Sequence, residues 1–325
     1  MNTDSSPVSS ADFAPASSGV AGRESPSEGR APAGVEHHFT VDVEEHFQVS
    51  AFEPYVAPAD WSRLESRVAT GVHRLLALLQ RHGARATFFI LGWVAERHPL
   101  LVKAIAEAGH EVASHGFDHR RVTRQTPEQF RESVRRAKRT LEDVVGAPVR
   151  GFRAPNFSIV PGCEWALDVL IEEGHSYDSS LFPIQRPGYG FARGARDPHL
   201  LKTAAGTLVE VPPATLRRCG VNLPAGGGAY FRLLPYVLAA AALRDCAGRG
   251  VPGTFYIHPW EVDPEQPRFA VSWSARIRHY GGLRRTMPRL ERLLAEFRFN
   301  SVHGAATLRR LLPQRIVAQQ HPSRP

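Results

Sequence analysis

Two histidines four residues apart, His115 and His119 in ASHGFDHRR, are the first residues whose types and spacing could do chemistry. Carboxylates gather elsewhere in VDVEEHF, as Asp42, Glu44 and Glu45, and further polar groups stand at Arg153, Asp178 and His258. Two imidazoles and a carboxylate make a borderline-hard ligand set suited to Zn²⁺ or a similar divalent ion, with positions left open for water and substrate. Such an ion polarises a carbonyl and brings the pKa of water towards about 7. A further carboxylate can then act as general base and a histidine as general acid. The inventory fits metal-assisted hydrolysis of an amide or ester. The histidine pair alone is weak evidence, because the chain contains 15 histidines. His37, His38, His46 and His279 have no assignable partner and read as structural, with His46 notable for its place beside the acids.

The elements that must position these residues alternate. HHFTVDVEEHF is a strand running into acids, SRVATGVHRLLALLQRHG is a helix ending at Gly83, and ATFFILG is a buried strand. WVAERHPLLVKAIAEAGH is helical with an interruption at Pro99, and EVASH is a strand ending at His115. TPEQFRESVRRAKRTLEDVVG has Thr126 as N-cap and Pro127 at the first helical position. Phe130, Val134, Ala137, Leu141 and Val144 form its apolar stripe, and Gly146 lies past its end. RGFRAP, SYDSS, TLVEVPP and GTFYIHPWE read as strands, EWALDVLIEEGH and residues 235–248 as helices, and 286–297 as a helix capped by Thr286. Seven or eight strand–helix alternations predict a parallel sheet covered by helices. At about this length, a distorted (β/α) barrel of about seven parallel strands fits better than an open sheet. In such a barrel the polar residues at the C-terminal strand ends face one site. PAGGGAYF lacks the lysine and the spacing of a phosphate loop and reads as a flexible loop.

Composition bounds the rest. The 325 residues, 42% hydrophobic, can bury a large core. Residues 1–35 are rich in Ser, Ala, Pro and Gly and are expected to form a disordered tail, with a second loose tail over 314–325. The formal charge of +8 comes from scattered basic residues and predicts a solvated basic surface. No basic–aromatic motif supports nucleic-acid binding. Three distant cysteines, Cys163, Cys219 and Cys246, argue against a disulfide framework or a thiolate zinc site. The longest apolar run, YVLAAAAL, is too short to span a bilayer, and no secretory signal is recognisable, so the expected location is cytoplasmic.

In sequence the chain resembles the polysaccharide deacetylase family, also called the NodB-homology family or carbohydrate esterase family 4. ATFFILGWVAERHPLLVKAIAEAGHEVASHGFDH resembles the segment from its second strand through the H-x-x-x-H metal motif, and FRAPNF resembles its R-x-P motif. FTVDVEEHFQVSAFE and the run GGGAYFRLLPY…FYIHPWEVDPEQPR…IRHY resemble the subgroup of exosortase-associated exopolysaccharide loci, with its C-terminal extension of the DUF3473 type. The likeness spans roughly residues 37–312. It implies a NodB-type barrel over 36–200, completed by a C-terminal part with the subgroup extension over 201–313.

The resemblance also implies roles. His115 and His119 would be the imidazole ligands of a divalent ion, Zn²⁺ first and Co²⁺, Ni²⁺ or Mn²⁺ as alternatives. The family opens with two adjacent aspartates, base and ligand; here Asp42 matches the first, but Val43 stands at the second. The carboxylate ligand would then be Glu44 or Glu45. Strand alternation favours Glu44, on the same side as Asp42. Arg153 would hold Asp42 charged and oriented, His258 would protonate the leaving amine, and Asp178 would orient the groove or tune His258. Pro155 and Phe157 would shape the pocket wall, and Trp260 and Tyr230 would stack on sugar rings. The implied activity is removal of N-acetyl groups from an amino-sugar glycan or its lipid-linked precursor, with peripheral contact at the inner membrane face. Two other readings stay open: a same-fold hydrolase of a small cyclic amide (allantoinase-like), and a barrel that binds glycan without turnover.

Overall fold

The computed structural model describes residues 34–305, apart from 187, together with 311. The tails expected at 1–35 and 314–325 lie outside the described residues, Gly34 and Val35 excepted. In chain order the first half runs β1 (His37–Val43), α1 (Val68–Arg81), β2 (Thr87–Ile90), α2 (Gly92–Arg97), α3 (Pro99–Glu107), β3 (Glu111–Ser114), α4 (Pro127–Val145), β4 (Gly151–Phe152), α5 (Trp165–Glu172) and β5 (Tyr177–Asp178). The second half runs β6 (His199–Thr203), β7 (Gly206–Glu210), β8 (Thr215–Arg218), β9 (Val221–Pro224), α6 (Gly228–Leu233), α7 (Tyr236–Gly248), β10 (Thr254–Ile257), α8 (Trp273–Tyr280), α9 (Leu283–Glu296) and β11 (Phe299–Asn300).

Seven strands lie parallel in the order β10, β1, β2, β3, β4, β5, β7, and the short β11 also pairs parallel with the start of β1. The barrel expectation therefore holds, with distortion at the seam. There, closure rests on single parallel bridges from Pro213 to Thr254 and from Gly227 to Tyr256. Two antiparallel pairs, β6 with β7 and β8 with β9, were not legible as hairpins. In β6 (HLLKT) the alternating residues are only half-buried, so the apolar signal of a core strand is missing.

Alternation along β1 divides the core. Phe39, Val41 and Val43 pack outward against helix residues such as Val72, Leu75 and Leu79, burying about 1.5–3 kcal/mol of transfer free energy per large side chain. Thr40 and Asp42 point inward, where the Arg153 guanidinium lies over the Phe89 ring at 4.2 Å. The barrel interior is thus polar toward the C-terminal end of β1.

Helix α4 forms as its sequence dictates. Thr126 and Gln129 make a reciprocal capping box, Pro127 opens the helix, and Gly146 closes it in the left-handed region at φ 68°. Two expectations need correction. Thr286 does not cap a helix: α9 begins at Leu283 behind Gly282 (φ 75°), and Thr286 is buried inside it. Nor is PAGGGAYF a free loop. Gly227 (φ 145°) packs so closely on β10 that a Cβ there would strike the Tyr256 carbonyl, and Gly228 opens α6.

Candidate active site

At the C-terminal end of β1, two adjacent glutamates part company. The Glu44 carboxylate turns toward the histidines, and one oxygen accepts the Trp260 indole N–H at 3.0 Å. Glu45 turns away and caps α1, accepting the Arg67 and Val68 amides at 2.9 and 3.2 Å and the Ser66 hydroxyl. An acid at a helix N-terminus satisfies orphan N–H groups and meets the positive end of the helix dipole. The ambiguity between the two acids is a matter of geometry, and only Glu44 faces the histidines.

His115 follows β3 and His119 follows a turn through Gly116 (φ 76°), with His119 itself at φ 56°. One ligand atom each from Glu44, His115 and His119 lie within 4.8 Å of one another, and all three residues are buried. The His115 Nδ1–H donates to the Arg153 carbonyl at 2.8 Å, which leaves its Nε2 lone pair facing the cluster. Burial lowers the His115 pKa to about 4, so the ring stays neutral, as a ligand must. His119 Nε2 lies 2.6 Å from Glu44 Oε2, yet that oxygen has no hydrogen bond of acceptable geometry. A buried carboxylate oxygen with an unused lone pair, facing two imidazoles, fits a divalent cation in both donor chemistry and spacing. Burial would raise the Glu44 carboxyl, but His119, His258 and His115 outweigh it and hold it below the usual carboxylate range.

Asp42 sits beside this cluster. Its Oδ1 accepts from Arg153 Nη1 at 2.6 Å. The guanidinium, wholly buried, also donates to Thr40 Oγ1 at 2.8 Å, Ser179 Oγ at 2.8 Å and the Ser179 carbonyl at 3.2 Å. His258 enters from the end of β10, with Nε2 at 3.9 Å from Asp42 and 3.8 Å from Glu44. Its Nδ1 is 2.6 Å from Glu261, three residues on, and Glu261 pairs with the buried Arg232 of α6. Burial alone would lower the His258 pKa, but Glu44, Glu261 and Asp42 outweigh it and push it up to about 9.

The expected partner of His258, Asp178, is placed differently. Its carboxylate accepts the Ser180 hydroxyl at 2.6 Å and the Ser180 amide at 3.1 Å, and Ser180 Oγ in turn accepts the Ala154 amide at 2.7 Å. Asp178 therefore braces the backbone beside Arg153, and the carboxylate on His258 is Glu261. Burial raises the carboxyl of Asp178, and burial with Asp178 beside it raises that of Glu210.

These groups open into a cleft of about 660 Å³. Phe157 forms part of its wall, whereas Pro155, buried in the turn Pro155–Phe157 next to Gly116, does not line the cleft. Tyr230 also lines it, its hydroxyl 2.6 Å from that of Tyr189. Trp260 also lines the cleft, but its ring is already stacked on His258 and His279, at 5.2 and 4.2 Å. Its visible work is to orient Glu44 rather than to present a face to sugar. His46 is buried, stacked on Phe269 at 5.7 Å and 3.7 Å from Glu45. Glu261 and Arg232 escaped the sequence reading; the H-x-x-E spacing of HPWE, a capping box closed by a histidine, was the available signal.

Comparison with known proteins bears on the family and the fold. Residues 65–161 match the family model described as polysaccharide deacetylase, and residues 179–307 match a domain of unknown function, DUF3473. Among curated relatives, the peptidoglycan deacetylase-like protein FGM2 of Gibberella zeae is 36% identical over 34% of this chain and 32% of its own length. The peptidoglycan deacetylase of Helicobacter pylori is 31% identical over 38% of this chain and 42% of its own. The match therefore spans less than half of each of these relatives. Two solved structures whose names carry the words polysaccharide deacetylase share the fold. The one from Mycobacterium smegmatis has a TM-score of 0.57 at 22% identity, covering 91% of this chain and 96% of its own. The one from Pseudomonas aeruginosa has a TM-score of 0.52 at 18% identity, covering 81% and 84%.

Proposed function

Because residues 65–161 match the polysaccharide deacetylase model and residues 179–307 a DUF3473 domain, we propose that the chain is a metal-dependent hydrolase of the polysaccharide deacetylase kind. Its reaction is removal of N-acetyl groups from amino sugars of a bacterial exopolysaccharide or of its lipid-linked precursor. The observation that carries this reading is the Glu44–His115–His119 cluster opening into the same cleft as Asp42 and His258. The C-terminal run that resembles exopolysaccharide-locus proteins supports the choice of glycan. Residues 36–200 and 201–313 are taken as two parts of one barrel, the second bringing His258 and its partners to the first.

Glu44, His115 and His119 would hold the cation, Zn²⁺ first among the candidates. When bound, it supplies Lewis-acid polarisation of the amide carbonyl and acidifies water. The protein's own groups divide the remaining work. Arg153 fixes Asp42, which takes the proton from the attacking water as general base. His258, charged at neutral pH by its carboxylate neighbours, gives a proton to the departing amine. Water adds across the C–N bond, acetate leaves, and the sugar keeps a free amine. Trp260 holds Glu44 in register, Asp178 braces the Arg153 segment, and Phe157 and Tyr230 shape the cleft.

The C-terminal run GGGAYFRLLPY, whose Tyr230, Leu233 and Leu234 line the cleft, favours a larger glycan over a small cyclic amide. The test is acetate release by the purified protein from N-acetylglucosamine oligomers, with and without chelator. Chelator-sensitive release is expected; turnover of cyclic amides alone would replace this reading with the other.

A further inference from the structure

Helix α8 presents two apolar residues to solvent. Trp273 is 77% exposed and Ile277 42% exposed, four residues apart and therefore on one face. At 3.6 residues per turn, Arg276 and Arg278 flank this stripe on either side, while Ala275 and His279 face the interior. The apolar surface continues into α6. A Cβ placed on Gly281 would meet both the Ile277 carbonyl and the Leu233 side chain, which puts those two residues side by side. Leu233 and Leu234 are 44% and 37% exposed, and both line the mouth of the cleft together with Arg278. Tyr55, 48% exposed, reaches the start of α8 through its hydroxyl, which accepts the Ser272 amide at 3.2 Å.

The chain segment that carries this surface is basic, and Glu53, two residues before Tyr55, is paired with Arg121 and Arg124. Between Glu265 and Glu291 the chain carries Arg268, Arg276, Arg278, Arg284, Arg285 and Arg289, and no acid. Arg276 and Arg278 have no ion-pair partner among the described residues, so their charge is free for an external anion. A large indole that protrudes instead of nesting, beside a leucine pair and unpaired guanidiniums, is the composition of a bilayer-interface anchor. A protein partner would match such a rim with acids of its own; a phosphate-rich surface asks only for the cations and the apolar tips found here.

We propose that the α8 face bearing Trp273 and Ile277, continued by Leu233 and Leu234, docks on an anionic membrane surface and sets the mouth of the cleft against membrane-anchored glycan. The docking stands on the surface alone; that the anchored molecule is the substrate rests on the deacetylase reading.

Flotation of the full chain with vesicles tests it, using phosphatidylcholine alone and phosphatidylcholine mixed with phosphatidylglycerol. The protein should float with the anionic vesicles, far less with the neutral ones, and be released by salt. Trp273→Ser should weaken partitioning about tenfold, and Arg276→Gln about fivefold, with unchanged acetate release from soluble oligomers. Failure of the wild type to bind anionic vesicles at low salt would overturn the proposal. So would binding that both variants retain in full, or a Trp273-dependent dimer that ignores vesicles. Because flotation needs no turnover, a protein that binds vesicles but releases no acetate would keep the docking face and sink only the deacetylase reading.

Discussion

His258 and Glu261 meet at 2.6 Å within one 3₁₀ turn, and Glu261 is pinned from its other side by the buried Arg232. The proposed general acid thus has a counter-charge of its own, delivered by a segment far along the chain from Glu44, His115 and His119. Glu261→Gln keeps the size of the group but removes the charge that holds the imidazolium. The expected result is a fall in kcat of about 10- to 100-fold with KM within about twofold. A change confined to KM would show that Glu261 serves binding instead.

Glu44 and Glu45 are adjacent yet do different jobs, and substitution should separate them. Glu44→Ala should abolish stoichiometric binding of a divalent cation while leaving the melting temperature of the metal-free protein nearly unchanged. Glu45→Ala should retain the cation and lose about 0.5–2 kcal/mol of stability, as for other helix caps. Metal analysis beside thermal melting distinguishes them, and the reverse pattern would exchange their roles.

Arg153 is fully buried against Asp42. Removing one member of a buried pair strands the other, so Arg153→Met should cost roughly 3–5 kcal/mol in urea unfolding. Combined with Asp42→Asn, the loss should fall short of the sum of the two single losses by about 1 kcal/mol or more. Strict additivity would mean that the two groups are not coupled in the folded protein.

Buried histidines set the acid tolerance of the fold. Burial, with His37 and Arg153 nearby, lowers the His38 pKa to about 3, and burial with Lys138 lowers that of His175 to about 3. Above the ordinary value near 6.5, both folded and unfolded rings are neutral and contribute nothing. As the pH falls below it, the unfolded chain takes up protons that the fold refuses, and stability drops until the folded values are reached. The expected loss from pH 7 to pH 5 is roughly 2 kcal/mol per histidine. Urea unfolding at the two pH values measures it, and equal stabilities would contradict it.

Much of this molecule could be read before its structure. The capping box of α4, the break at Pro99 and the ring of polar residues at strand ends are local signals, and local signals survive without tertiary information. What stayed hidden depends on packing. Glu45 was a candidate ligand until its position against the α1 amides was known, because nothing in VDVEEHF says which way each glutamate turns. Trp260 reads as a sugar platform from its type alone, and only His258 and His279 stacked on its ring change that reading. The glycines of PAGGGAYF look like slack, yet they let the backbone approach β10 at the seam of the barrel. Of the two roles open to Asp178, the tuning of His258 falls to Glu261, because the 3₁₀ turn after β10 folds that carboxylate back onto the histidine.

The most direct measurement pairs metal content with acetate release in one preparation, wild type beside His115→Ala. One divalent ion per chain and chelator-sensitive release of acetate from N-acetylglucosamine oligomers, both lost on substitution, are the expected results. Full acetate release by the metal-free His115→Ala protein would contradict the assignment of this cluster as the catalytic centre.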